Sequence, residues 1–355
     1  MEQISFNGFE KEKSTDWKWT MANDYPKEKN GLTVFSCFAC GGGSTMGYKL
    51  TGCDVLGCVE IDPKMNEVYV KNHKPKYNYL MDIREFNKID DLPKELYNLD
   101  ILDGSPPCTT FSMAGQREDS WGKKKKFREG QAEQTLDDLS FVFIETAKKL
   151  QPKVVIMENV EGLLLGKAWS YVQRIYKVFD DAGYNLKHYL LKGEKMGVPQ
   201  KRHRVFFIAV RKDIPFDYDK LNLYFDYEPI IYGIIKDGEG TKLSFESETY
   251  KWLSKANYND KKIEDTMIRT EGIKNHMFNC KIIWEQDVMP TIPANTLFYR
   301  GKEKTGVSAL DIIHAQTFPE DYEFSGKPDY ICGMSVPPVM IKRIVTRLID
   351  TGVFK

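Results

Sequence analysis

The chain has 355 residues, which is long enough for one large domain and a smaller one. Hydrophobic residues make up 41% and charged residues 29%, the proportions of a soluble globular protein, and no apolar run could span a bilayer. Lysine plus arginine and aspartate plus glutamate number 51 each, so the net charge by itself does not indicate a polyanionic partner.

Residues 1–31 are polar and are predicted to form an N-terminal extension that docks locally. The beginning of this segment lacks the apolar core of a signal peptide. The seven cysteines are odd in number and irregularly spaced, which indicates free thiols in a reducing compartment. The pair Cys37 and Cys40 has no second pair at zinc-ligand spacing. We therefore expect a cytoplasmic protein without a bound metal.

From Thr33 onward, strand-like and helix-like segments alternate. The predicted strands are Thr33–Phe38, Asp54–Val59, Leu99–Leu102, Val154–Met157 and Val205–Val210, with a further strand before Asp82; the predicted helices are Pro63–Asn72, Leu139–Leu150, Trp169–Ala182 and Pro338–Ile349. The strands show little alternation of apolar and polar residues, which is typical of a parallel sheet covered on both faces. The sequence therefore predicts an α/β fold with a doubly wound, mostly parallel sheet.

The alternation stops near Arg211. Residues 213–286 are weakly periodic, and residues 213–326 are predicted to form a smaller mixed domain. The last helix returns to helical spacing and is expected to pack on the first domain. Residues 32–212 and 327–355 would then form one discontinuous domain.

Three features after predicted strands suggest a cofactor site. The glycines between Gly41 and Gly47 allow a tight turn and close approach of a ligand at a helix N-terminus. Many glycine-rich turns after strands, however, have only a structural role. Glu60 could accept hydrogen bonds from ribose hydroxyls, or it could be an acid at a helix N-terminus. Asp82 could accept from an exocyclic adenine amine, or it could form an Asx-turn.

Cys108 is the candidate nucleophile. It follows two prolines, which stiffen the turn and orient the thiol. Cysteine attacks as the thiolate, whereas a cysteine without a catalytic role is often a small buried hydrophobe. Glu158 follows another predicted strand and could donate a proton if buried, or it could be a capping or ion-paired acid. Arg202 and Arg204 could form a fork for a base and a carboxylate, or they could be solvated charges.

A run of four lysines, Lys123–Lys126, follows the candidate nucleophile, with Trp121 and Phe127 beside it. Four adjacent positive charges repel one another unless they are solvated or face phosphates. The run therefore predicts either a phosphate-binding loop or a solvated basic loop.

Taken in order, the sequences Gly-Ser-Pro-Pro-Cys at 104–108, Glu-Asn-Val at 158–160 and Gln-Lys-Arg-His-Arg at 200–204 resemble motifs of the cytosine-C5 DNA methyltransferases of bacterial or phage type. The resemblance runs from about residue 33 to the C-terminus. It implies the Rossmann-like class I methyltransferase fold, with residues 213–326 as the target-recognition domain. It also implies S-adenosylmethionine as cofactor, double-stranded DNA as partner and a monomer, with any cognate restriction endonuclease acting separately.

The same resemblance implies a role for individual residues. Cys108 would attack C6 of a flipped-out cytosine, Glu158 would bind or protonate N3, Arg204 would contact the base, and Arg202 would be its structural partner. The implied cofactor-binding residues are Phe38, Ala39, Gly42, Gly43, Gly47, Glu60, Ile61, Asp82, Ile83, Ser105, Pro107, Ser335 and Val336; the implied DNA-binding residues are Gln116, Arg117, Lys123, Lys124, Lys125 and Lys126.

The chain departs from the family pattern at three positions, with Ser36 in place of Asp, Cys40 in place of Gly and Met334 in place of Asn. These departures suggest that the methionine end of the cofactor is held differently. Two alternatives stay open: a related enzyme that methylates tRNA, and a catalytically silent DNA-binding homologue.

Overall fold

The computed structural model describes residues 11–107, 139–274, 276–277, 279–294 and 297–355. The strands are β1 Thr33–Cys37, β2 Asp54–Glu60, β3 Tyr77–Leu80, β4 Ile101–Gly104, β5 Val154–Val160, β6 Tyr184–Lys192, β7 Gln200–Lys201, β8 His203–Arg211, β9 Cys280–Ile283, β10 Met289–Pro290, β11 Leu297–Arg300 and β12 Thr305–Gly306. The helices are α1 Met21–Asp24, α2 Gly43–Leu50, α3 Pro63–His73, α4 Ile83–Phe86, α5 Leu139–Leu150, α6 Trp169–Asp181, α7 Tyr232–Ile235, α8 Glu248–Ser254, α9 Ile263–Glu271, α10 Ala309–Ala315, α11 Asp329–Met334 and α12 Pro338–Asp350.

Seven strands form the central sheet in the order β3-β2-β1-β4-β5-β8-β6. The first five strands in this order run parallel to one another, whereas β8 is antiparallel to both β5 and β6. The chain adds β2 and β3 on one side of β1 and then crosses back to add β4 and β5 on the other side. The strand order therefore reverses between β1 and β4. A ligand crevice is expected outside the carboxyl ends of such strands.

Helices cover both faces of the sheet, which confirms the predicted doubly wound α/β fold. One apolar cluster joins the sheet to α4, α5 and α6, and a second joins the other face to α2 and α12. Alternate residues of β5 enter opposite clusters: Val155 and Met157 the first, Val154 and Ile156 the second. A central strand buried on both faces is apolar at successive positions, which explains the pattern of the sequence.

Three details differ from the expectations. The strand predicted at Val205–Val210 runs antiparallel to β5, a direction that its apolar pattern did not indicate, within a sheet that is mostly parallel as predicted. Its neighbour β6 was not predicted, because its exposed edge carries polar residues among the apolar ones. The strand predicted to end at Met157 continues to Val160, so Glu158 lies inside β5 because its backbone still pairs with β8.

Local signals account for the helix that follows β2. The Asp62 carboxylate accepts from the backbone N–H of Lys64 at 2.9 Å, and Pro63 occupies the first helical position. An N-terminal cap followed by proline is a favourable start for a helix. Within the described ranges, no helix combines the length and apolar character needed to cross a membrane.

The region predicted as the smaller domain contains a second sheet, in which β11 pairs with β9 and β12. Helices α8 and α9 pack on this sheet through an apolar cluster that includes Trp252 and Met267. A buried ion pair of 2.8 Å between Arg300 and Asp311 joins β11 to α10. Strand β10 pairs with β7, so this region meets the segment that carries Arg202 and Arg204.

Candidate active site

A cleft lies outside the carboxyl ends of β1, β2 and β4. Seven residues that the sequence predicted for cofactor binding line it: Phe38, Glu60, Ile61, Asp82, Ile83, Ser105 and Pro107. Eight more residues complete the wall: Cys40, Val59, Asp62, Met65, Met81, Leu139, Tyr330 and Met334. The structure therefore gathers residues from distant parts of the chain around one predominantly apolar pocket with a few acids, the usual composition of a cofactor site.

Glu60 is the last residue of β2 and is buried at the edge of the cleft. Its carboxylate accepts hydrogen bonds from the backbone N–H groups of Cys40 at 2.8 Å, Ile61 at 2.9 Å and Asp62 at 2.8 Å. Burial raises its pKa, and these N–H donors oppose that rise. Oε1 accepts two of these bonds and Oε2 accepts one, so Oε2 has a lone pair left for a ligand hydroxyl.

Asp82 caps the short helix α4. Its carboxylate accepts from the backbone N–H of Arg84 at 2.8 Å and forms a 3.2 Å ion pair with the Arg84 guanidinium. The alternative that the sequence left open, a carboxylate that bonds its own turn, is thus present. The same side chain lines the cleft, so the two roles are compatible.

The glycine turn packs tightly against the wall behind the cleft. Gly42 has a φ of 78°, and a Cβ there would lie 2.2 Å from His73 Nε2. A Cβ on Gly43 would lie 2.2 Å from the Val336 carbonyl oxygen and 2.8 Å from Ser335 Cβ. Glycine is required at both positions because there is no room for a side chain.

The remaining predicted cofactor residues do not line the cleft itself. Gly43, Ser335 and Val336 meet behind the turn, and Ala39 is buried with Tyr69. Gly47 lies in the second turn of α2 and faces α12, where a Cβ would come within 2.5 Å of Ile341 Cβ. The structure therefore gives Gly47 a role in helix packing.

The three departures from the family pattern all lie in or behind this site. Cys40 and Met334 line the cleft. Cys40 has a φ of 46°, a left-handed conformation that favours glycine, and burial raises the pKa of its thiol to about 12, so the thiol stays neutral. Ser36 lies under the turn and donates to Asp103 at 2.8 Å.

The residues present fit S-adenosylmethionine. Glu60 and Asp82 supply acceptors for hydroxyl and amine groups, and Phe38, Met81 and Ile83 supply apolar walls for a planar ring.

Glu158 projects from β5 and forms an ion pair with Arg204 of β8, with 2.7 Å between Oε1 and Nε. The two side chains are only 12% and 14% exposed. The pairing follows from the antiparallel register, which places Val160 opposite Arg204 and Glu158 opposite Phe206. Arg204 also donates to the carbonyl oxygen of His203 at 2.8 Å, which holds the guanidinium in place.

Asn159 connects this ion pair to the turn that precedes Cys108. Its side-chain amide is buried and donates to the carbonyl oxygen of Pro106 at 3.3 Å. Asn159 therefore ties β5, the strand that carries Glu158, to the turn.

Arg202 makes different contacts from Arg204. It is buried and donates to the carbonyl oxygens of Ile292 at 3.2 Å, Gly333 at 3.1 Å and Ser335 at 2.9 Å. Burial lowers its pKa well below the usual range of arginine. Arg202 thus connects the smaller region to the wall of the cofactor cleft.

Several predicted residues lie outside the described residues. They are the candidate nucleophile Cys108 and the predicted DNA-binding residues Gln116, Arg117, Lys123, Lys124, Lys125 and Lys126. The roles of these residues stay predictions.

Sequence reasoning missed two groups behind the site. Asp103 is buried in β4 and accepts three side-chain hydrogen bonds. Gln200 accepts from the Ile292 N–H and donates to Gln316, which in turn donates to the Ser335 carbonyl oxygen. An ionisable residue directly after the apolar Leu99–Leu102 segment was the available signal for Asp103. Within the described ranges, no three His, Cys, Asp or Glu side chains are grouped as metal ligands would be.

Comparison with known proteins places these features in a family. The family model for C-5 cytosine-specific DNA methylase matches residues 32–350. Type II methyltransferase M.FnuDI of Fusobacterium nucleatum is 34% identical over 52% of this chain and 48% of its own length. Type II methyltransferase M.HindV of Haemophilus influenzae is 27% identical over 87% of this chain and 93% of its own. The chain thus spans about half the length of M.FnuDI and nearly all of M.HindV.

A likeness also exists among solved structures. A variant of Spodoptera frugiperda DNMT2 superimposes with a TM-score of 0.60 at 16% identity, covering 90% of this chain and all of the other. At that identity the likeness supports the fold alone.

Proposed function

Because the chain belongs to the C-5 cytosine-specific DNA methylase family, we propose that it transfers a methyl group from S-adenosylmethionine to C5 of cytosine in double-stranded DNA. The observation that carries this proposal is the 2.7 Å ion pair between Glu158 and Arg204. It lies at the end of β5, where Asn159 binds the turn that leads into Cys108. An acid, a cation and a thiol would then converge beside the cofactor cleft.

Cytosine C5 is a weak nucleophile, so the chain must first activate the ring. In the proposed mechanism the Cys108 thiolate adds to C6, and the ring electrons move toward N3 and C5. Glu158 holds a proton at N3, which neutralises the developing charge and leaves C5 enamine-like. Arg204 keeps Glu158 oriented and presents a donor toward the O2 atom of the base.

S-adenosylmethionine, when bound, supplies the electrophilic methyl group for C5. Glu60 and Asp82 would hold its ribose and adenine, and the Gly42–Gly43 turn would lie against its amino-acid portion. The C5 proton is then lost to a base, and the returning electron pair expels the Cys108 thiolate. The ring regains its aromaticity and the thiolate is regenerated.

A base stacked in a duplex cannot reach such a pocket, so the proposal includes flipping of the target cytosine. Gln116, Arg117 and the lysines at 123–126 would contact the DNA backbone, and residues 213–326 would read the sequence. We also propose that the protein acts in the cytoplasm as a monomer, with any cognate restriction endonuclease acting separately, as in restriction–modification systems.

The test is a methyl-transfer assay with labelled S-adenosylmethionine, offered in parallel to duplex DNA and to tRNA. We expect label in DNA only, and bisulfite sequencing of DNA from expressing cells will then identify the methylated site. The Cys108→Ser variant should lose about 1,000-fold or more in rate, because a hydroxyl is a far weaker nucleophile than a thiolate.

Two outcomes would contradict the proposal. Label in tRNA but not in DNA would favour the RNA-directed alternative. Calorimetric binding of DNA without binding of S-adenosylmethionine would favour a catalytically silent homologue.

A further inference from the structure

Asp103 is a buried carboxylate beneath the glycine turn. It lies on β4 with 2% of its surface exposed, directly opposite Ser36 in the parallel register of β1 and β4. Three hydroxyl groups donate to it: Ser44 at 2.6 Å, Ser36 at 2.8 Å and Tyr48 at 3.1 Å. The carboxylate therefore joins β1, β4 and α2 at one point.

No cation neutralises this carboxylate within the described ranges. The titratable groups that interact with it are Cys37 on β1, Tyr48 on α2, Tyr69 on α3 and Glu158 on β5, and none of them is cationic. Burial raises the pKa of Asp103 to about 6, and the three hydroxyl donors oppose that rise. At neutral pH the side chain is therefore mostly an unneutralised anion, which is costly in a protein interior.

Asp103 is connected to the cofactor cleft through two nearby residues, Ser44 and Ser105. Ser44 belongs to the first turn of α2, directly after Gly42 and Gly43. Ser105, two residues beyond Asp103, lines the cleft. Any shift of this carboxylate would move both the glycine turn and the end of β4.

We propose that Asp103 is a positioning residue for the cofactor, which fixes the first turn of α2 against β4 and places an uncompensated negative charge behind a site for a cationic ligand. The inference rests on the proposed function, since S-adenosylmethionine carries a sulfonium and an ammonium group. Attraction between a buried anion and a cationic ligand explains an acid here that has hydroxyl donors but no cationic neighbour among the described residues.

The test compares cofactor binding by calorimetry across pH 5 to 8. Asp103→Asn keeps the size of the side chain and removes its charge. Its amide oxygen can still accept from Ser36 and Ser44, and its amide NH2 group then faces the Tyr48 hydroxyl, which can turn to accept. We expect about tenfold weaker binding of S-adenosylmethionine at pH 7.5, which corresponds to about 1.4 kcal/mol, with turnover at saturating cofactor changed by less than about threefold. S-adenosylhomocysteine, which lacks the sulfonium charge, should lose less affinity.

The pH profile separates charge from shape. Wild-type affinity should fall below about pH 6 as Asp103 becomes protonated, whereas this part of the fall should be absent in Asp103→Asn. The exchange Ser36→Asp with Asp103→Ser moves the carboxylate to the facing residue of the same pair. It should restore affinity to within about threefold of wild type, since the two side chains lie within hydrogen-bond distance.

Asp100→Asn is the matched control. Asp100 is also buried, but it lies before the other end of β4, where it accepts from Thr33 and pairs with Lys153 at 2.9 Å. This substitution should lower the thermal midpoint without changing cofactor affinity. If Asp103→Asn behaves in the same way, or binds like wild type at every pH, the inference is wrong. If the wild-type protein binds no S-adenosylmethionine, the proposed function itself fails.

Discussion

His73 supports the glycine turn from behind and is sensitive to pH. The ring is buried at the end of α3, and Nε2 lies 3.2 Å from the carbonyl oxygen of Gly41. Burial, reinforced by the charge of Lys49, lowers its pKa to about 3. The folded protein therefore keeps this ring neutral, whereas the unfolded chain protonates it near pH 6.5.

This difference predicts a loss of stability as the pH falls. Between pH 7 and pH 5 the unfolded chain gains a proton on His73 that the folded protein does not, so His73 should reduce the free energy of unfolding by about 2 kcal/mol. The measurement is urea unfolding at both pH values for wild type and for His73→Phe, which has a similar ring and does not titrate. Asp103 acts in the opposite direction, because its raised pKa favours the folded state as the pH falls, and comparison with the variant cancels its contribution. Equal pH dependence in both proteins would contradict the prediction.

At the scale of elements, the packing of α2 on α12 places the glycine turn. Gly47 allows the two helices to approach, since a Cβ there would lie 2.5 Å from both Ile341 Cβ and the carbonyl oxygen of Pro338. The apolar face of α12 is buried against the sheet in the same cluster. Close approach of two helices at a glycine leaves no space for even one methyl group.

Gly47→Ala should therefore lower the free energy of unfolding by about 1–3 kcal/mol, despite the better helix propensity of alanine. Ile341→Ala removes Cγ2, which would lie 2.8 Å from the new Cβ, and should therefore relieve part of the clash. In a double-mutant cycle, Ile341→Ala and Gly47→Ala together should cost less than the sum of the two separate losses, as measured by urea unfolding. Strictly additive losses would show that the two residues do not compete for space.

The pairing of β8 with β5 positions the proposed acid. An apolar strand such as β8 can enter a sheet in either direction, because both arrangements bury the same side chains. In the antiparallel arrangement Arg204, near the start of β8, lies beside the end of β5 that carries Glu158. Strand direction, rather than strand composition, thus decides which charges meet.

At the scale of the whole molecule, residues 11–31 connect distant parts of the chain. Trp19 is buried, and its indole N–H donates to the Thr317 carbonyl oxygen at 2.8 Å. Asp16 pairs with Arg343 of α12 at 2.7 Å, and Lys11 pairs with Asp226 at 2.9 Å. The segment predicted to dock locally therefore contacts both the last helix and the smaller region.

Removing the indole should weaken the whole fold. We expect Trp19→Ala to lower the free energy of unfolding by about 3–5 kcal/mol, because it empties a buried site and leaves a carbonyl unpaired. Trp169→Ala is the matched control, since Trp169 is 44% exposed and its loss should cost less than about 1 kcal/mol. Urea midpoints at an unchanged slope provide the measurement, and equal losses for the two variants would contradict the assignment.

The local features of this protein could be predicted from its sequence. Apolar runs located most strands of the central sheet, helical spacing located α3, α5, α6 and α12, and motif order indicated the family. These signals are local, since each depends on residues only a few positions apart.

The other features depend on contacts between distant parts of the chain. The tertiary structure set the direction of β8, separated the contacts of Arg202 from those of Arg204, and brought Asp103 to Ser36 across 67 positions of the chain. It also turned Gly47 toward a helix near the C-terminus. Such contacts depend on register and packing between distant segments, which periodicity within one segment does not contain.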